Sequence, residues 1–280
     1  MQIGIFAKTF ARPTVEEVFD AVRAHGLQQV QFNLSCAGVP SLPAEIASSL
    51  ITHIHEAALS KGIEIVAVSG TYNMIHPDPQ LRQVGLRRLR TLAAACQGLG
   101  TSVITLCTGT RDPTDMWHWH PENASTKAWS DLLHAMEAAL RIAEEERVTL
   151  AFEPERANVV NTAARGHALL TTMRSPHLKV VLDPANLLVP AADQQVHQML
   201  DDAFELLGEH IIIAHAKDRG ADDTFQVAGQ GLLDYDHYLH LLHASAFAGP
   251  LIIHGLAEGD VDGVLRFLNG KLQTVISDER

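Results

Sequence analysis

The sequence predicts an α/β fold: one (β/α)8 TIM barrel, a single domain over residues 1–280. Three observations predict it. Short apolar runs recur along the whole chain, and longer stretches with helical spacing separate them. The first run is not followed by the glycine-rich phosphate loop that an open doubly wound sheet would usually carry. A length of 280 residues suits a barrel of roughly 250, and 46% hydrophobic content is enough for one large core.

The elements follow in order. IGIF (3–6) is the first strand; "AKTFARPTVEE" comes next, without G-x-G-x-x-G or G-K-[ST], and leads into helical spacing over 15–24. VQF (30–32) precedes a helical stretch at 46–60, IEIVAV (63–68) one at 81–97, and SVITLC (102–107) one at 129–146. VTLAFE (148–153), LKVVLD (178–183) and IIIAH (211–215) continue the series, and 232–244 reads as a helix before PLIIH (250–254). Each strand is short, apolar and bounded by glycine, proline or polar residues, as strands buried on both faces are. No linker, low-complexity run or short repeat divides the chain.

Composition narrows the function. A net charge of -12, from 33 acidic and 21 basic residues, lacks the basic footprint of a nucleic-acid binder. A small-molecule substrate is expected instead. Three widely spaced cysteines, Cys36, Cys96 and Cys107, form neither a disulfide framework nor a zinc ribbon. No apolar run approaches the ~18 residues of a membrane helix, and no secretory pattern opens the chain, so a cytoplasmic protein is expected. Sixteen histidines stand out, because imidazole is the commonest metal ligand.

The last four strands end in titratable groups: Glu153, Asp183, His215 and His254, separated by 30, 32 and 39 residues. One βα unit per step brings all four to the C-terminal mouth of the barrel, where barrel chemistry resides. For a single position a helix cap or a satisfied polar group is the plainer reading. Four in succession are different, because carboxylates crowded at a mouth repel unless a cation compensates. Two carboxylates and two imidazoles suit one divalent ion: Mn, Co, Fe, Ni or Zn. Glu258, four residues past His254, is a competing carboxylate, but only His254 ends the apolar run.

The loops add substrate-type groups. Glu155 and Arg156 follow strand five, Asn186 follows Asp183, and Lys217 and Asp218 follow strand seven. Asn73 and His76 lie after strand three, and Trp117, His118, Trp119 and His120 in a long loop after strand four. Glu155, Asn186, His76, Trp117 and His120 are the candidate substrate contacts; the tryptophans suit either a platform or lid over a sugar-like ligand or packing on a neighbouring helix or subunit. Asp112 and Asn123 read as caps.

"LAFEPE", "VVLDPANLL", "IIIAHAKD" and "AGQGLLDYDHYLHLL" together resemble the sugar phosphate isomerase/epimerase group of the xylose isomerase-like TIM barrel family. The resemblance covers nearly the whole chain and is most specific across 148–254. It implies a divalent-metal enzyme acting on ketoses, keto-sugars or inososes. Glu153, Asp183 and His215 match three of the family's four ligands; His254 stands where the fourth is usually Glu, and Asn186 where His is common. The resemblance implies isomerisation or epimerisation by proton transfer beside a carbonyl, through an enediolate, with Glu153, His254 and Lys217 as catalytic candidates. His254 serves either as fourth ligand or as second acid/base. A lyase or dehydratase on the same site is the alternative, and a non-catalytic sugar-binding barrel a further one. The apurinic-endonuclease branch is disfavoured: its additional D-x-H after strand seven is absent from "KDRGADDTFQVAGQG". The partner expected is a carbohydrate, with no nucleic acid and no membrane; a homo-oligomer is compatible.

Overall fold

A strand that is apolar on both faces needs a hydrogen-bonded neighbour on each edge, and the strands of this chain supply one another by closing into a ring. In the computed structural model, which describes residues 1–277, the barrel strands are β1 (Gln2–Phe6), β2 (Gln29–Phe32), β3 (Glu64–Ser69) and β4 (Val103–Cys107). They continue as β5 (Thr149–Glu153), β6 (Leu178–Leu182), β7 (Ile211–Ala216) and β8 (Pro250–Ile253). All pairings are parallel, and the ring closes where β1 meets β8, with Gln2 opposite Pro250 and Ile5 opposite Ile253. A short antiparallel ribbon, Asp218–Arg219 with Phe225–Gln226, rises directly beyond β7.

The helices are α1 (Val15–Ala24), α2 (Ser48–Lys61), α3 (Pro79–Leu99), α4 (Thr126–Glu146) and α5 (Ala163–Met173). They continue as the single turn α6 (Pro184–Leu187), α7 (Asp193–Leu207), α8 (Tyr235–Ala244) and α9 (Val261–Ser277). Their starts are encoded locally. Thr14 and Glu17 form a capping box on α1, and Asp78 caps α3 ahead of Pro79. Gly62 and Gly100 end α2 and α3 in the left-handed conformation that glycine adopts without a Cβ penalty. Of the residues read as caps, Asp112 does cap a turn, accepting from the Thr114 and Asp115 amides at 2.8 and 2.9 Å. Asn123 does not. It is buried and ties loops together, accepting from the Arg111 amide at 2.7 Å and donating to the Ala157 carbonyl at 2.9 Å.

The larger core lies between the strands and the helices. A smaller one fills the barrel itself: Ala67, Ala151, Val181, Ile213 and Ile252, with Phe6, Val66, Val103 and Ile212 against it. Side chains alternate across a strand with period two. Residues two positions beyond this inner layer therefore also face inward, at the next level up. From Ala151, Val181, Ile213 and Ile252 that step lands on Glu153, Asp183, His215 and His254. The three cysteines are buried and unpaired, and no described helix is long and apolar enough to cross a membrane.

Candidate metal centre and substrate cavity

The inward step brings three strand-end side chains around one point, with Glu153 beside them. One ligand atom each from Asp183, His215 and His254 lies within 4.8 Å of the others. Asp183 Oδ2 is 3.6 Å, and Glu153 Oε1 3.7 Å, from His215 Nδ1. Asp183 combines the plain reading and the sharper one: Oδ1 accepts from the Ala185 amide at 3.0 Å and caps α6, while Oδ2 points into the cluster.

His215 has a defined tautomer. Gln31 donates through Nε2 to Thr105 Oγ1 at 3.3 Å, which turns its Oε1 toward His215 Nε2 at 3.0 Å. An acceptor there requires Nε2 to carry the proton, so Nδ1 offers its lone pair to the cluster. Such an outer hydrogen bond is how a metal-ligating histidine is oriented. The buried hydroxyl of Tyr238 holds the His215 carbonyl at 3.1 Å and that of Tyr235 holds the Lys217 carbonyl at 3.2 Å, so α8 fixes the end of β7. His254 lies parallel to His215, with centroids 5.0 Å apart and planes at 3°, and stacks on Phe6 on its other side. Burial, with the Lys217 ammonium nearby, pushes its pKa down to about 3, so the ring is neutral.

Four polar atoms here are buried without a hydrogen-bond partner: Asp183 Oδ2, Asn186 Oδ1, His215 Nδ1 and His254 Nδ1. Native proteins rarely leave buried polar atoms without partners. A group of lone pairs facing one another is the arrangement a cation satisfies. The donor set of carboxylate oxygen and imidazole nitrogen, without thiolate, fits a divalent transition metal.

Above the cluster opens a cavity of about 580 Å³, lined among others by Glu153, Glu155, Asn186, Lys217, His254 and Trp117. Asn186 Nδ2 donates to Glu153 Oε1 at 2.6 Å. Burial raises the Glu153 carboxyl well above its usual range, and burial also raises that of Glu155. Asp183 goes the other way: burial raises it, but the nearby Lys217 ammonium pulls it down, below the usual carboxylate range. Lys217 sits between the Asp183 carboxylate, at 3.5 Å, and the Phe225 ring, at 3.3 Å from its centroid.

Two predicted substrate contacts are not among the residues lining this cavity. His76 is tied to its own loop, with Nδ1 accepting from the Asp78 amide at 3.0 Å, and to the loop after β4, with Nε2 3.1 Å from the Pro113 carbonyl. His120 accepts from the Glu122 amide through Nδ1 and starts a 3-10 turn. Backbone groups of the loops hold both histidines, and strand-end spacing says nothing about such bonds. Trp119 is exposed, and His118 pairs with Asp112. Asn73 is structural, bridging to both backbone groups of Thr110. Arg156 is held in a two-pronged pair by Asp223 of the ribbon. Glu258 lies away from the cluster, in a surface pair with Arg12.

Asp218 explains the G-x-G segment. Its buried carboxylate accepts from the amides of Arg219, Gly229 and Leu233 at 2.8, 3.1 and 3.0 Å. A Cβ on Gly231 would lie 2.2 Å from Asp218 Oδ1 and 2.4 Å from the Arg219 carbonyl. These glycines let the loop wrap a carboxylate of the protein itself. Residues that the sequence reading missed are Gln31, which orients His215, and Lys8 and Asn33, which line the cavity from the β1 and β2 ends. The one available signal for Gln31 was a polar residue inside the apolar run VQF.

Fold and donor set together define a (β/α)8 barrel with a carboxylate–imidazole cluster at its mouth. The chain belongs to the xylose isomerase-like TIM barrel family, whose model matches residues 19–269. It is 22% identical over 211 residues to an L-ribulose-5-phosphate 3-epimerase of Shigella flexneri, covering 75% of this chain and 69% of that protein. Against the corresponding epimerase of Escherichia coli (strain ATCC 8739) it is 24% identical over 182 residues, which span 65% of this chain and 59% of that one. Among solved structures, an L-ribulose 3-epimerase superposes with a TM-score of 0.78 at 19% identity, covering 100% of this chain and 97% of the other. A probable 3-DHS dehydratase of Bacillus anthracis superposes at 0.75 with 12% identity, covering 96% and 99%.

Proposed function

We propose that the protein is a divalent-metal-dependent isomerase or epimerase of a sugar or keto-sugar. The observation that carries this reading is the convergence of donor atoms without hydrogen-bond partners from Asp183, His215 and His254 beside Glu153, at the foot of the mouth cavity. Glu153, Asp183, His215 and His254 would hold the ion. When bound, the ion supplies charge that polarises a substrate carbonyl and favours enediolate formation.

The chain's own residues supply the rest. Glu153 takes the proton from the carbon beside the carbonyl, and its raised basicity brings it toward the range a general base needs at neutral pH. Asn186 fixes one of its oxygens and so sets the direction of attack. Lys217, pinned by Asp183 and Phe225, presents an ammonium to the oxygen on which charge develops. Glu155 returns or relays a proton from the same wall. Trp117 and Phe225 line the cavity at its exposed edge and offer apolar surface to the substrate.

A lyase is the second reading, and His254 favours it. With imidazole in the fourth position, the carboxylate for the opposite face of the substrate is missing, so a proton removed by Glu153 has no matching carboxylate to return it there. Elimination needs only one base and an acid for the leaving group. The test is incubation of the metal-loaded protein with a panel of ketoses and keto-sugars in deuterated water. Deuterium beside a carbonyl supports isomerase or epimerase chemistry, and an ultraviolet-absorbing unsaturated product supports elimination. Neither, across the panel, would overturn both readings.

A further inference from the structure

The Lys217 ammonium has two seats within reach, and the distances show which one it takes. It lies 3.3 Å from the centroid of the Phe225 ring and 3.5 Å from Asp183 Oδ2. A hydrogen bond from an ammonium to a carboxylate spans about 2.7–2.9 Å, and Asp183 Oδ2 is one of the buried atoms without a hydrogen-bond partner. The carboxylate therefore attracts the ammonium without being capped by it. A cation within about 6 Å of a ring centroid is held by the negative face of the ring, so Phe225 is the group that seats it. The rest of Lys217 is fixed. The Tyr235 hydroxyl donates to its carbonyl at 3.2 Å, and a Cβ on Gly255 would lie 3.3 to 3.5 Å from three carbons of its stem. Lys217 is only 6% exposed, so its charge depends on the groups beside it more than on water. The same ring carries a second cation, the Arg219 guanidinium, 4.4 Å from its centroid. Two cations on one ring repel, but this one is neutralised: Arg219 Nη1 lies 3.0 Å from Asp223 Oδ1, and Asp223 also ties the ribbon to Arg156. The ring thus remains available to Lys217.

We propose that Phe225 is a positioning residue for the metal centre: its ring holds the Lys217 ammonium off Asp183 and so keeps Asp183 Oδ2 open as a ligand atom. Without the ring, a nearly buried ammonium is left with an anion that a shift of roughly 0.6–0.8 Å brings into a charge-assisted hydrogen bond. Closing that gap occupies the lone pair that the ion needs. Phe225 itself touches neither the ion nor its ligands in this account; it acts through Lys217. The inference rests on the reading of the cluster as a metal centre, and a distance measured without metal tests it separately.

The variants are Phe225→Leu, Phe225→Trp, Lys217→Met and the double variant Phe225→Leu with Lys217→Met, each checked for folding by circular dichroism. Phe225 is 48% exposed, so leucine there leaves the core intact. Metal-free protein is titrated with cobalt(II) by calorimetry, and metal-free crystals of wild type and Phe225→Leu are solved. Phe225→Leu is expected to bind cobalt about tenfold or more weakly than wild type, while Phe225→Trp, which keeps an aromatic face, binds it like wild type. Lys217→Met cancels the effect: with no ammonium to collapse onto Asp183, Phe225→Leu costs no affinity in that background. In metal-free Phe225→Leu the distance from Nζ to Asp183 Oδ2 closes from 3.5 Å to about 2.7–2.9 Å. Unchanged cobalt affinity in Phe225→Leu, a loss that persists in the Lys217→Met background, or a distance that stays at its wild-type value overturns the proposal. A wild type that binds no cobalt would sink the metal reading, and the crystallographic distance would still decide whether Phe225 holds Lys217 off Asp183.

Discussion

Replacing His254 with leucine should reverse the stability ranking of the protein according to whether metal is present. Nδ1 of His254 is buried without a partner, and leaving such a group unsatisfied costs about 1–3 kcal/mol. Leucine removes that cost. It also gives up the stacking on Phe6 and His215, about 0.5–1.5 kcal/mol for an aromatic pair, which the added apolar burial of leucine largely offsets. The metal-free variant should therefore be about 1 kcal/mol more stable than metal-free wild type, a melting shift of roughly 2–4 °C for a chain of this length. Saturating metal restores the wild type's advantage, since a ligand at a hundred times its Kd adds about 2.7 kcal/mol and the variant retains one donor fewer. The metal-free difference also depends on pH. Burial lowers the folded pKa of His254 to about 3 from 6.5, so between these values the unfolded chain binds a proton that the folded chain refuses. Wild-type stability then falls with pH below 6.5, and the variant's advantage widens. The assay is thermal unfolding by circular dichroism in EDTA and in excess cobalt or zinc, at two pH values. A variant less stable than wild type under chelation would make His254 a packing residue, and equal metal stabilisation of both would remove it from the ligand set.

Three further outcomes follow from the same geometry. Gln31→Leu, which removes the acceptor that orients His215, should weaken metal binding about 10- to 100-fold, read by competition with a chromogenic chelator; unchanged affinity would show that packing alone holds the ring. Gly231→Ala forces a methyl onto Asp218 and the Arg219 carbonyl and should cost about 1–3 kcal/mol in urea unfolding, whereas a neutral result would mean the loop can move aside freely. Glu258→Gln breaks a surface pair with Arg12 and should leave metal content unchanged by mass spectrometry, while loss of metal would return Glu258 to the ligand set.

Much of the site was legible in advance because strand-end chemistry is a one-dimensional signal. Glu153, Asp183, His215 and His254 each close an apolar run, and parallel strands one βα unit apart must present their ends at the same mouth. Loop residues were legible only as candidates. Glu155, Asn186, Lys217 and Trp117 line the cavity, whereas His76 and His120 are committed to nearby backbone groups. Nothing in the spacing of a loop histidine distinguishes these cases. Asp218 looked like a substrate group, yet its carboxylate is wrapped by backbone amides, a role that depends on a turn closing over it. Gln31 went unnoticed because its partner, His215, lies 184 residues away.

The sequence by itself determined the barrel, the mouth at which the strand-end donors gather and the donor types available there, because all three follow from periodicity and from the order of strands along the chain. Only the tertiary structure decided that Gln31 meets His215, which carboxylate stands beside His254, which loop residues line the cavity and which cations are already paired. Those outcomes depend on distances between residues on opposite sides of a closed ring, and a hydrogen bond or ion pair between them is set by where the chain folds in space.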